Sequence, residues 1–473
     1  MSPTFSACAS DPAAGTVATA DPVSCSRAAR GWLDHWLLAI LLAACGVAMS
    51  NNNAEPDIWG HVQYGRDALA SGLPHFATYT YTAEGFPWIN HENLSELALA
   101  AGSEVFGITG LLAIKCLFGV LVLCLVIWQA RRQGAGQFAT HGLVLLTAAN
   151  LVFFWVLRPQ LFSFVYFALL ATLLSWCFEN WRDESTATQR LRWLWSGPVI
   201  LFFWANTHGA FAAGLAVFCL YLACRSVEAM VRRGRAASGL VKRFVMMIVA
   251  AILATMVNPY GLNLHFWLLK SLLPPRPEII EWLPPEVAWT VQSLAWVPFW
   301  ILLAIVVASL VWSRRPRDYT QLVVLAAILF QALEHRRHIA LFAILAALWL
   351  PGHIAALLRR LKIGLEETSL AALPTVWRRA FAVVLLVATV IVGRHLSDQL
   401  HGMIVRRESY PVAAFQYIAD HQFNGKMVVA FNWAQYAIMA FGAETPRDPG
   451  LRVAFDGRYD TCYPLEIVDM QFD

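Results

Sequence analysis

Asn51-Asn52-Asn53-Ala54-Glu55-Pro56-Asp57-Ile58-Trp59-Gly60-His61 follows directly on the first apolar run of the chain and opens a loop of about 55 residues. From Asn51 to Phe106 this loop carries Glu55, Asp57, Asp67, Glu84, Glu92, Glu96 and Glu104, with Arg66 as its only basic residue. That asymmetry places it on the outer side of a membrane. Pro56 suits the first position of a helix, where its missing N–H costs nothing, and Glu55 then stands at the N-cap. On such a helix Asp57, His61 and Tyr64 share one face, because residues three and four apart are neighbours. A carboxylate and an imidazole one turn apart can bind a divalent cation or move a proton. The same residues also make a capped helix start with solvated acids, and this stretch on its own carries both readings.

Of the 473 residues 58% are hydrophobic and only 14% charged, and the mean hydropathy is +0.53. Such a composition excludes a soluble domain and reads as a polytopic membrane protein. The net charge of +4 does not point to nucleic acid, since the basic residues sit in short connections between apolar runs and not on one patch. Most of the nine cysteines lie in or beside apolar runs, and Cys462 would stand alone in an oxidising compartment, so no structural disulfide is expected.

Residues 1–30 have no apolar period and read as a disordered cytoplasmic tail. Arg27 and Arg30 precede the run Trp32 to Met49, which continues past the lipoprotein-like box at Cys45 and so reads as an uncleaved first span. Further apolar runs follow at 108–129, 139–157, 160–178, 193–206, 210–227, 241–257, 295–312, 319–334, 338–358 and 379–394. With the N-terminus inside, each inner connection is richer in Lys and Arg than the outer one after it: Arg131 and Arg132 precede Arg158, and Arg314, Arg315 and Arg317 precede Arg336 and Arg337. This predicts an all-α membrane domain over 31–394 with about eleven spans, N-terminus inside and C-terminus outside. Residues 51–106 and 258–294 form its long outer loops. The second of these holds Asn258-Pro259-Tyr260-Gly261, an amphipathic piece around His265 to Leu273, Pro274 to Pro277, and Trp267, Trp282 and Trp289. From 395 to 473 the chain reads as a small extracytoplasmic α/β region, with strands at Lys426–Phe431 and Leu451–Phe455 and a helix from Pro411 to His421. It ends at Asp473 without a closing element, which leaves truncation open.

Three further features belong to the outer face. Arg158-Pro159 ends the third span, Asn206-Thr207-His208-Gly209 makes the turn after the fifth, and Glu334-His335-Arg336-Arg337-His338 joins the ninth and tenth. Basic residues at an outer boundary run against the topological bias and call for an anionic partner. A phospholipid headgroup, a polyprenyl phosphate and Glu334 itself each qualify. His208 also reads as a hydrogen-bonded turn residue, Lys115 as a snorkelling or carboxylate-paired lysine, and His91-Glu92 as a helix start capped by Asn90. No nucleotide fingerprint and no zinc-protease motif is present, so an enzyme of this build takes an activated substrate from the membrane.

Glu55-Pro56-Asp57-Ile58-Trp59-Gly60-His61, Tyr64-Gly65-Arg66, Tyr79 to Trp88 and His91-Glu92 resemble the first outer loop of a family of bacterial membrane proteins similar to GT-C glycosyltransferases. Leu157 to Ser163, Asn206 to Gly209, Asn258 to Gly261, Arg336 to Ile339, Asn432-Trp433 and Phe455-Asp456-Gly457-Arg458 match the same pattern. The resemblance covers the chain from about Trp32 onward. It implies a bundle of eleven to thirteen spans and a polyprenyl-phosphate-linked sugar as donor. Asp57 would be general base or metal ligand with Glu55 as its partner, and this chain has Glu-Pro-Asp where Asp-Pro-Asp is common.

The sequence therefore reads as a GT-C-type transferase of the bacterial cell envelope, in the cytoplasmic (inner) membrane. It moves a hexosyl or pentosyl group to a glycan, lipid or protein acceptor at the extracytoplasmic face. Asp57 and Glu55 are its catalytic candidates. Arg336, Arg337, Arg158, His208 and His338 are candidates for the phosphate, with His91 and Glu92 nearby. A divalent metal ion on Asp57 and His61 is the one cofactor the motif admits, and membrane lipids are the expected surroundings. The alternative is a non-catalytic transporter or assembly scaffold for lipid-linked glycans. A transporter calls for mid-span charges and paired repeats, and the chain offers Lys115 but no repeat.

Overall fold

The computed structural model describes residues 31–181, 189–271, 279–286, 293–363, 369–442 and 451–472. The tail over 1–30, the Pro274 to Pro277 run and Trp289 lie outside them. The helices, numbered here in chain order, begin with α1 (Trp32–Met49), α2 (Ile58–Ser71), α3 (Asn93–Arg132), α4 (Gln137–Leu151), α5 (Gln160–Cys177), α6 (Ser196–Ala205), α7 (Phe211–Arg233) and α8 (Ser238–Met256). They continue with α9 (Leu262–Ser271), α10 (Val297–Trp312), α11 (Tyr319–Glu334), α12 (Ile339–Trp349), α13 (Pro351–Arg360) and α14 (Thr375–Leu400). The C-terminal region adds α15 (Val412–Asp420), β1 (Lys426–Met427), α16 (Phe431–Phe441), β2 (Arg452–Val453) and α17 (Leu465–Phe472).

Among the described residues six helical stretches are long and apolar enough to cross a membrane, or seven if α12 and α13, bent by 69°, count as one span. The sequence reading expected eleven. The difference lies in breaks and short pieces: Phe211–Met256 counts once although a turn at Gly234, with φ of 55°, divides it into α7 and α8. Helices α4, α6 and α11 have 15, 10 and 16 residues, short of the roughly 20 that a span exposed to lipid needs. Gly107, with φ of 64°, kinks α3 where the outer loop meets the second apolar run.

Burial sorts the helices. Every residue of α12 is buried, as an apolar surface on all sides requires, and it packs against α3, α4, α5 and α11 at the centre of the bundle. On α14 only Leu385 is buried, and this helix leans on α1 at the periphery. Lys115, buried on α3, neither snorkels nor meets a carboxylate: its Nζ donates to the Asn51 carbonyl at 2.6 Å and so ties the entry of the outer loop to the bundle.

A second core forms outside the bundle. Tyr64, Tyr79 and Trp88 of the first outer loop share it with Phe415, Met427, Ala434, Ile438, Val453, Phe455 and Tyr463 of the C-terminal region. β1 and β2 pair in parallel as two-residue strands; of the stretch read as strand at Lys426–Phe431, Val428 to Ala430 are irregular and Phe431 opens α16, whose Ala434, Ala437 and Ile438 face this core. At its centre the Arg458 guanidinium stands 5.2, 5.1 and 4.7 Å from the rings of Tyr64, Tyr79 and Trp88. Asp456 takes two hydrogen bonds from that side chain, at 2.9 and 2.8 Å. Loop and C-terminal region are thus one unit built from distant parts of the sequence.

Candidate functional site

The acidic motif enters this unit as a turn. Helix α2 begins at Ile58, two residues later than the position of Pro56 suggests, and Asp57 occupies its N-cap without a side-chain cap bond. Glu55 still serves the helix start, since its carboxylate accepts the Asp57 N–H at 3.0 Å. The Asp57 carboxylate is left to face outward. Its Oδ2 lies 3.1 Å from Arg158 Nη2, and Arg158 also donates to Glu55 and reaches Glu281 at 3.8 Å. Gly457 lies against the same carboxylate: a Cβ there would stand 3.0 Å from Asp57 Oδ1.

One turn along α2, His61 leaves Asp57 and turns to α3. Its Nδ1 is 3.0 Å from Glu96 and 3.7 Å from Glu92. The two helices approach so closely that a Cβ on Gly65 would lie 2.1 Å from the Glu96 carbonyl oxygen. Asn90 fixes both acids, accepting the Glu92 N–H at 2.9 Å and donating to Glu96 at 2.6 Å. On the far side of Glu92 stand His208 Nε2 at 3.5 Å and His91 Nε2 at 3.7 Å. His91 stacks on Trp267, centroids 5.0 Å apart. The Ala210 N–H donates to His208 Nδ1 at 3.1 Å, so a neutral His208 carries its proton on Nε2, aimed at Glu92.

Burial and charge set the protonation states. Burial alone would lower the His61 imidazole, but Glu92 and Glu96 outweigh it and raise it to about 9. Burial pushes Glu92 up to about 7. Burial, with His61 and Arg337 next, pulls His91 down to about 3, and burial with His91 and Arg337 holds His208 well below the usual range. The His61 imidazolium is therefore flanked by the two neutral rings of His91 and His208.

His61, Glu92 and Glu96 offer ligand atoms all within 4.8 Å of one another. The metal pair expected from sequence is Asp57 with His61; here Asp57 lies against Arg158, and the acids that meet His61 are Glu92 and Glu96 at the start of α3. Glu96 escaped the sequence reading, although it stands one helical turn after Glu92 and so faces the same way.

The late cluster divides. Arg336 is buried and holds the segment 279–286, donating to the Pro284 carbonyl at 2.9 Å and to Glu286 at 2.9 Å. Its acid partner is Glu286, not the exposed Glu334. Arg337 lies over the Trp282 ring at 4.9 Å and is the member whose field reaches His91 and His208. His338 turns back to the Gln331 carbonyl at 3.3 Å, because the short turn after α11 leaves its ring beside the end of that helix. Glu281 and Trp282, adjacent in sequence, thus stand between Arg158 and Arg337. Neither Glu281 nor Glu286 carried a sequence signal.

Solved structures supply the comparison. Over 87% of this chain and 64% of theirs, the fold matches the oligosaccharyltransferase AglB of Archaeoglobus fulgidus in complex with an inhibitory peptide and a dolichol-phosphate, with TM-score 0.54 and 12% identity. At that identity the likeness is one of fold. The same archaeal enzyme tethered to an acceptor peptide matches over 86% of this chain and 63% of the other, with TM-score 0.55 and 13% identity. This chain spans somewhat less than two thirds of the length of those enzymes. No family model and no curated protein matches the sequence. With six or seven helices long and apolar enough to cross a membrane among its described residues, the chain is a multi-pass membrane protein.

Proposed function

We propose that this GT-C chain transfers a sugar from a polyprenyl-phosphate carrier to a polar acceptor at the extracytoplasmic face of the bacterial inner membrane. The observation that carries the reading is the placing of Arg158 and Arg337 on the two sides of Glu281-Trp282, next to Asp57 and the His61–Glu92–Glu96 group, at one end of an apolar bundle. A carrier phosphate leaving the anomeric carbon needs cations around it, and an acceptor hydroxyl needs a base.

The acceptor oxygen forms a bond to the anomeric carbon as the bond from that carbon to the phosphate oxygen breaks, with inversion. The electron pair leaves with the phosphate, which Arg158 and Arg337 neutralise. The hydroxyl proton passes to Asp57. Arg158 is shared between Asp57, Glu55 and the incoming phosphate, so donor binding draws the guanidinium from Asp57 and makes that carboxylate a better base.

One imidazole nitrogen and two carboxylate oxygens fit a divalent ion. His61, Glu92 and Glu96 would hold it, and when bound it supplies a Lewis acid for the phosphate charge. This chain's own part is to keep the ligands in register: Asn90 anchors both acids, and the bare Gly65 lets α2 lie against α3.

The test uses purified, reconstituted protein with a polyprenyl-phosphate sugar as donor. Asp57→Asn keeps two carboxylates on Arg158 and is expected to insert normally, to bind the donor and to lose turnover by about 10²-fold or more, the size of a general-base contribution. Wild-type turnover by this variant would remove Asp57 from the reaction.

A further inference from the structure

A charged cavity lies at the end of the bundle opposite the candidate site. Helix α10 starts on the side of the candidate site, where Trp300 donates to the Glu286 carbonyl at 3.2 Å and Trp296 lies under Arg336. Its 16 residues rise about 24 Å and end at Trp312. There a cleft of about 580 Å³ opens, lined by Trp312, Arg314, Arg315, Ala356, Arg359 and Arg360.

Two of the four arginines have structural tasks. Arg360 donates to the Trp312 carbonyl at 2.7 Å and Arg315 to the Gln133 carbonyl at 2.9 Å, closing the ends of α10 and α3. Gly352 makes room for Arg315, since a Cβ there would stand 2.2 Å from its Nη1. The side chains of Arg314 and Arg359 are exposed and make no hydrogen bond among the described residues, and no described carboxylate pairs with any of the four. The positive-inside bias accounts for arginines on this side. It does not account for four of them around one hollow.

The surroundings identify the ligand. Val307, Val311 and Trp312 of α10 are 51%, 58% and 53% exposed and lead down to the cleft as an apolar strip. Helix α13, bent by 69° from α12, packs Pro351, Ile354, Ala355 and Leu357 into the bundle and ends on Arg359 and Arg360, which it carries to the rim of the cleft. A free phosphate would use the guanidiniums alone; a phospholipid uses these and the strip beside them. We propose that this cleft binds the phosphodiester headgroup of an anionic phospholipid in the leaflet opposite the candidate site, with Arg314 and Arg359 on the phosphate and the acyl chains along α10.

The full chain, purified in detergent, is offered phosphatidylglycerol or phosphatidylcholine with identical acyl chains, and retained lipid is counted by native mass spectrometry. Wild type is expected to keep phosphatidylglycerol in preference. Arg314→Gln with Arg359→Gln should lower that retention about tenfold or more, and Ala356→Trp, which fills the hollow at unchanged charge, should lower it as well. Arg378→Gln with Arg379→Gln, a pair at the start of α14, should leave it unchanged. Equal retention of the two lipids, equal loss in the Arg378/Arg379 pair, or displacement of the lipid by millimolar inorganic phosphate would each overturn the proposal, the last in favour of a free-phosphate site. An unaltered size-exclusion profile for each variant establishes that the fold has survived.

Discussion

Arg158 Nη2 lies 3.1 Å from Asp57 Oδ2, and the same nitrogen bonds Glu55, so one guanidinium at the start of α5 organises both acids of the first outer loop. Burial pushes the Glu55 carboxyl up, and Arg158 is the strongest force pulling it back. Arg158→Ala leaves that buried acid without its cation, a change that costs about 3–5 kcal/mol in comparable pairs. The expected result is a clear fall in unfolding temperature, partly restored by Glu55→Gln in the same chain. A single variant as stable as wild type would show that the pair carries no such weight.

The Asp456–Arg458 pair makes a pH prediction. Burial alone would raise the Asp456 carboxyl, but Arg458 overrides it and holds it below its ordinary 3.8. A group depressed in the folded state contributes stability that is complete above its unfolded value and is lost as pH falls through the folded one. Asp456→Asn should therefore be less stable than wild type at pH 7, with a gap that stays constant down to about pH 5 and closes only below about pH 4. Hydrogen exchange in α16, measured for both proteins across that range, gives the gap directly. A gap that closes between pH 7 and pH 5 would contradict the assignment.

Gly65 tests the seam between α2 and α3. A methyl group would meet backbone, the Glu96 carbonyl at 2.1 Å, and backbone cannot swing aside as a side chain can. Gly65→Ala should cost about 1–3 kcal/mol from overpacking and separate His61 from Glu96. Loss of thermal stability together with loss of divalent-ion binding is the expected pair of results. Gly142→Ala, where the added carbon meets nothing within 4 Å, serves as the control.

The metal reading has its own measurement. Calorimetric titration with manganese should give one site per chain, with affinity lowered about tenfold or more in Glu96→Gln and changed far less in Asp57→Asn, which lies outside the ligand group. The reverse order would return the ion to the pair read from sequence.

The sequence carried the class of this fold and the parts of its site, and the reasons are local. Runs such as Trp32 to Met49 and 108–129 reflect the cost of exposing polar backbone to lipid, so their apolar character is visible without partners. Asp57, His61 and Glu92 stood out because charge is rare in this chain. What could not be read was pairing across distance. Asp57 turns to Arg158 and not to the cation group, and Arg336 serves Glu286 while Arg337 faces the histidines. The C-terminal Arg458 closes a core begun by Tyr64. Those outcomes depend on the course of segment 279–286, which has no periodic signal, and on where α16 docks, which its own period does not specify. The count of eleven spans is not matched where helices are short, as α4, α6 and α11 are with 15, 10 and 16 residues.

The most direct test is a density map of the full chain with a polyprenyl phosphate bound. The account predicts the phosphate between Arg158 and Arg337, within ion-pair distance of both, with Asp57 beside the position of the departing sugar. A phosphate seated elsewhere in the bundle, with Arg158 still closed on Glu55 and Asp57, would contradict it.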